Sequence, residues 1–139
     1  MIPSALQKFL DGNESQIRIF KSGPATQMYL AQTLMEDGYN VVVVLPPSAE
    51  LHLYVSLARL FSPGEQHRPF WERSWLRFPR YAVEEPRRSP WPERWQALFA
   101  LGQKGPSRGV LLPLENLIQK WPEPEVLARE HLWVTTGEE

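Results

Sequence analysis

The unbroken apolar run Val41-Val42-Val43-Val44-Leu45 constrains this chain more than any other feature. Four consecutive β-branched side chains are stiff at χ1 and favour extended backbone. The run does not alternate with polar residues, and Asn40 and Pro46-Pro47 bound it. A strand that is apolar on both sides needs cover on both faces, which is the situation inside a parallel sheet flanked by helices. An α/β fold with a mainly parallel sheet is therefore expected. The run itself is placed at the centre, between strands at 17–20 and 109–112.

Helical spacing surrounds the run. Met28, Ala31, Leu34 and Met35 recur at three- and four-residue intervals over 25–37, with Gly38 as the stop. Ser48 reads as an N-cap for a helix over 48–61, whose stripe is Leu51, Val55, Ala58 and Leu60. Ile2, Leu6, Phe9 and Leu10 mark a short amphipathic segment within 1–16. Pro92 opens a helix over 92–103, and Leu114, Leu117, Ile118 and Trp121 predict another that ends at Pro122. A last strand is expected at 132–135. Between the two halves lies a long irregular connection, 64–92, with one short strand near residues 75–78. The domain reading is a helical segment at 1–16, one α/β domain over 17–136, and a link at 137–139.

Composition removes several function classes. Fifteen Lys and Arg stand against sixteen Asp and Glu, so no strong positive field draws a phosphate backbone. There is no cysteine, which excludes disulfides, thiolate zinc sites and cysteine nucleophiles, and suits a cytoplasmic protein. No apolar run has the length of a membrane span, so no membrane partner is expected.

Local motifs for catalysis are missing as well. The junction Phe20-Lys21-Ser22-Gly23-Pro24-Ala25-Thr26-Gln27 stands where α/β folds bind phosphates, yet it lacks the pattern G-x-x-x-x-G-K-[ST]. Gly23 alone cannot build an amide nest, and Pro24 removes one donor. His52, His67 and His131 are scattered without metal-ligand spacing. Glu84-Glu85 and the Glu123/Glu125 pair read as solvated loop charges rather than an acid/base couple. No Ser lies in a nucleophile elbow. The expectation is no catalytic, cofactor-binding or metal residue in this chain, which is then not an enzyme.

The stretch 68–95 is the most unusual part. It interleaves Arg68, Arg73, Arg77, Arg80, Arg87, Arg88 and Arg94 with Phe70, Trp71, Trp75, Phe78, Tyr81, Trp91 and Trp95. One reading stacks bases of single-stranded nucleic acid on the aromatics. The other packs the aromatics on the sheet and pairs Arg with Glu65, Glu72, Glu84, Glu85 and Glu93. Seven Arg against five Glu give weak steering, which favours packing. Exposed Arg and Trp would also suit a protein interface.

Two longer segments carry a resemblance. Glu93-Arg94-Trp95-Gln96-Ala97-Leu98-Phe99-Ala100-Leu101, followed by Arg108-Gly109-Val110-Leu111-Leu112-Pro113-Leu114-Glu115-Asn116-Leu117-Ile118-Gln119-Lys120, resembles the N-terminal region of bacterial transcription-repair coupling factors (Mfd). Residues 75–79 match a Trp…Leu-Pro segment of that family, with Phe78 where Leu is usual. The likeness spans roughly residues 17–136, and the same region is similar to the first domain of the excinuclease B subunit (UvrB).

The resemblance implies a degenerate helicase-like (P-loop, RecA-like) domain without a phosphate loop. It implies a non-catalytic scaffold in a longer ATP-dependent DNA translocase, a hydrolase of DNA repair that releases stalled RNA polymerase. The parent would take ATP and magnesium at its own motor and contact double-stranded DNA in the bacterial cytoplasm. It would recruit the excinuclease A subunit (UvrA), in nucleotide excision repair, through a small domain that follows this one. The motor motifs lie outside these residues, so no catalytic residue carries over. The alternative is a free-standing nucleic-acid-binding or nucleotide-binding α/β domain.

Overall fold

In the computed structural model of the chain, residues 4–12, 22–80 and 91–129 are described. They run α1 (Ser4–Asp11), α2 (Pro24–Glu36), β1 (Val41–Leu45), α3 (Leu51–Phe61), β2 (Trp75–Arg77), α4 (Trp91–Gly102), β3 (Gly109–Pro113) and α5 (Pro124–Arg129). Short 3-10 turns occupy Glu65–His67, Phe70–Glu72 and Leu114–Ile118. The three strands form one parallel sheet in the order β1-β3-β2. The fold is α/β, a small parallel sheet flanked by helices. The strands expected at 17–20 and 132–135 lie outside the described residues, and no described helix is long and apolar enough to cross a membrane.

Among the described residues the middle strand is β3, not the valine run. Val41 stands opposite Gly109 and Leu45 opposite Pro113, while Trp75 stands opposite Gly109 from the other side. Cover follows this order. Four of the five β3 residues are buried, but Val42 and Val44 of β1 are 57% and 44% exposed. Side chains alternate across a strand, so β1 buries one face, that of Val43 and Leu45, and leaves the other open. The expectation of two-sided cover fails for β1 because valine content reports backbone preference, not the number of covered faces.

Two cores lie on opposite faces of the sheet. On one, Met28 of α2 and Tyr54, Val55 and Ala58 of α3 pack on Leu45 and Leu111. On the other, Ala97 of α4 packs on Val110 and Phe78, with Leu98, Leu112 and Trp121 beside them. Successive residues Val110 and Leu111 thus feed different cores. Gly109 permits the close approach of layers at the start of β3: a Cβ there would lie 2.6 Å from Met35 Sδ and collide with the Trp75 ring.

The helix ends test the local chemistry. Helix α2 begins on Pro24, behind Gly23 in extended conformation, as suits a residue that lacks an N–H at the first helical position. It ends where expected. Gly38 takes φ 94°, its N–H donates to the Met35 carbonyl, and that of Tyr39 donates to the Leu34 carbonyl. This double bond pattern needs a left-handed residue, which glycine supplies at little cost. Ser48, by contrast, is not a cap. The Ala49 N–H donates to the Pro46 carbonyl in a turn, and α3 starts after Glu50 without a side-chain cap. The segment after β3 is a 3-10 turn rather than the expected helix through Trp121. Its apolar residues Leu117 and Ile118 are 54% and 86% exposed, so no buried stripe extends it, and the buried member is Asn116.

Candidate functional site

Parallel α/β sheets bind ligands beyond the carboxyl ends of their strands. Here those ends are followed by Pro46-Pro47 after β1, by Phe78-Pro79-Arg80 after β2, and by the turn Leu114–Ile118 after β3. The chain's own side chains join them. Arg80 Nη1 lies 3.2 Å from Glu115 Oε1, and Nη2 donates to the Pro46 carbonyl at 3.0 Å and to the Ala49 carbonyl. One guanidinium therefore links the exits of all three strands. A planar fork with several fixed donors can do this, whereas an ammonium concentrates its charge at one point.

Asn116 completes the closure from beneath. It is fully buried, and its Nδ2 donates to the Pro79 carbonyl at 3.1 Å and the Pro113 carbonyl at 3.3 Å. Trp121 Nε1 donates back to the Asn116 carbonyl at 3.0 Å. Buried backbone acceptors near the strand ends are thus satisfied internally. Glu115 and Asn116 had no role assigned from the sequence. The signal available was a polar pair directly after a buried strand, where a polar side chain meets free carbonyls.

Gly23 and Thr26 are exposed, and the Gln27 side chain turns back to donate to the Ser22 carbonyl at 3.2 Å. Lys21 lies outside the described residues. The Gln27 amide donates to the Gly23 carbonyl, and Pro24 has no N–H to give. The sequence here does not follow the phosphate-loop order, in which a Lys and a Ser or Thr come directly after the second glycine: Lys21-Ser22 precede Gly23, and Gly-Lys does not occur.

The other candidates stay apart. His52 is exposed on α3 and His67 is exposed in a 3-10 turn, while His131 lies outside the described residues. Among the described residues no group of three His, Asp or Glu is placed to hold a metal ion. Glu123 and Glu125 are exposed, and Glu84-Glu85 lie outside the description.

Where it is described, the Arg- and aromatic-rich stretch is mixed: Phe78 and Arg94 are buried, Phe70, Trp71, Trp75 and Trp95 half-buried, and Arg68 and Arg77 exposed. Phe78 is 3% exposed and stacks edge-on against Trp121, with centroids 5.2 Å apart. Arg94 is fully buried with its guanidinium 5.8 Å from the Trp121 ring centre. Trp75 Nε1 donates at 2.9 Å to Gln32 Oε1, which also accepts from Ser62 Oγ at 3.1 Å. Gln32 so ties α2 to β2 and to the end of α3, a role its sequence position did not announce. Arg68 pairs with Glu65 at 3.5 Å and Arg77 with Glu93 at 4.0 Å, but Arg80 takes Glu115 from outside the stretch. Arg87, Arg88 and Tyr81 lie outside the described residues.

Compared with known proteins, the chain matches no family model, no curated protein and no solved structure.

Proposed function

We propose that this chain is a non-catalytic, helicase-like α/β scaffold domain of a transcription-repair coupling factor. The observation that carries the reading is the occupied carboxyl end of the sheet. Arg80, Glu115 and Asn116 lie at the carboxyl ends of the described strands, the side on which parallel α/β sheets generally bind ligands. The junction at Gly23-Pro24, without a phosphate loop, agrees with this.

In this reading the parent protein is a cytoplasmic bacterial DNA translocase with its own ATP and magnesium site. It displaces stalled RNA polymerase on double-stranded DNA and recruits the excinuclease A subunit through a neighbouring domain. This domain positions others and performs no chemistry.

Isothermal calorimetry of the chain with Mg-ATP tests the non-catalytic part. No heat of binding is expected, and micromolar affinity overturns it. The repair assignment is tested separately, by titrating purified excinuclease A against residues 1–139 and against a version lengthened by about 50–100 residues of its natural sequence, a small domain's worth. Binding by the longer protein only is expected; equal binding by both moves the contact into this domain and overturns the scaffold role.

A further inference from the structure

We propose that the outer edge of β2, unpaired among the described residues, is a docking groove for an extended acidic peptide, which joins the sheet as an added strand. This goes beyond the scaffold reading and does not depend on it.

The backbone sets the edge. The Gly109 N–H donates to the Ser74 carbonyl at 2.8 Å, and the Phe78 N–H donates to the Leu111 carbonyl at 2.9 Å. The Ser74 carbonyl, the Leu76 main-chain groups and the Phe78 N–H therefore face β3. Trp75 and Arg77, between them, turn theirs the opposite way. Among the described residues β2 pairs with β3 alone, so these outward groups form a short template for another strand.

A groove of about 390 Å³ runs along this edge, flanked by α3 and α4. Val55, Ala58, Leu76 and Ala97 give it an apolar floor, all of them buried. Its size lies within the range of ordinary ligand clefts. Main-chain pairing combined with pockets for alternate side chains is how strand addition gains affinity and specificity.

Charge selects the occupant. Arg59, Arg73 and Arg77 line the groove against Glu65 and Glu93. Glu65 is already engaged: its carboxylate accepts from the Ser74 N–H and hydroxyl and lies 3.5 Å from Arg68. Glu93 faces Arg77 at 4.0 Å. Among the described lining residues three Arg stand against two Glu, so the local balance is positive. It favours a strand with carboxylates along one side and disfavours a second copy of this chain, which would bring arginines against arginines.

The test uses the whole chain and peptides of about seven residues that alternate Glu with Val, a length that spans a short strand. A Lys-Val peptide and a Glu-Val peptide N-methylated at alternate positions serve as controls. The Glu-Val peptide is expected to bind roughly tenfold or more tightly than either control in fluorescence anisotropy, and to slow amide exchange at Trp75 and Arg77. Arg59→Glu with Arg73→Glu should reverse the preference toward the Lys-Val peptide. The N-methylated peptide leaves the protein unaltered, so it separates strand pairing from any loss of folding in the variants. Equal binding of the N-methylated peptide, equal binding of the Lys-Val peptide, or no binding overturns the proposal. Protection of Trp75 and Arg77 that rises with chain concentration alone assigns the edge to a second copy and also overturns it. Tighter binding of an oligothymidylate than of the Glu-Val peptide overturns it in favour of nucleic acid.

Discussion

The Arg80 guanidinium stands 3.2 Å from the Glu115 carboxylate, so the segment leaving β2 is pinned to the turn leaving β3. Both side chains are about a quarter exposed, which leaves the pair partly screened by water but not dissolved in it. Arg80→Ala also strips a charged donor from the Pro46 and Ala49 carbonyls. A loss of about 1.5–3 kcal/mol is expected, the range for hydrogen bonds that involve charge. Arg80→Lys should recover only part of it, because the fork is lost. Urea denaturation of the three proteins measures this; an Ala variant with the parent midpoint would show that the link contributes nothing.

Gly109→Ala tests the contact between layers. A methyl group there meets Met35 Sδ and the Trp75 ring. Overpacking of this kind typically costs about 1–3 kcal/mol. Thermal unfolding should shift downward, and Met35→Ala in the same chain should relieve part of the shift if Met35 is the obstacle.

The one-sided cover of β1 gives a paired prediction. Val43 packs against the core of α2 and α3, whereas its neighbour Val44 is 44% exposed on the other face. Val43→Asp buries a charge without a partner and should cost several kcal/mol, on the order of 3–5. Val44→Asp should cost far less. Circular dichroism melts that place the two variants at the same temperature would contradict the alternation.

DNA binding should be weak and sensitive to salt. Lysine and arginine nearly balance the acids, and the described part of the arginine-rich stretch is partly buried or paired. A dissociation constant weaker than roughly a micromolar at physiological salt is expected, as for non-specific binders. A tighter value in a filter or anisotropy titration would reassign the exposed arginines to a nucleic-acid surface.

Much of the architecture could be read from the residues, and the exceptions have physical causes. Periodicity located α2 because Met28, Ala31 and Met35 are buried at the helical interval, and α3 through Val55 and Ala58, although Leu60 of the expected stripe is 70% exposed and Tyr54 is buried instead. The strands were found from β-branched and apolar runs, but their order was not. Nothing local in Val41–Leu45 tells that β3 lies between β1 and β2, since order depends on partners more than thirty residues away. Ser48 failed as a cap because Pro46-Pro47 drew the backbone into a turn first. The closure at the carboxyl end was the hardest to foresee: Arg80, Glu115 and Asn116 meet only once three strand exits are side by side.

The middle position of β3 governs the order in which this sheet can be built during translation. Neither β1 nor β2 has a partner among the described strands until Gly109–Pro113 has left the ribosome. The 64 positions from Leu45 to Gly109 take about 3–13 s to synthesise at the usual ~5–20 residues per second. Throughout that interval four adjacent valines wait without β3, their partner among the described strands, an uncharged β-prone segment of the kind that recruits other nascent chains. Slow codons placed between the two strands would lengthen the exposure, and chaperone demand should rise with them.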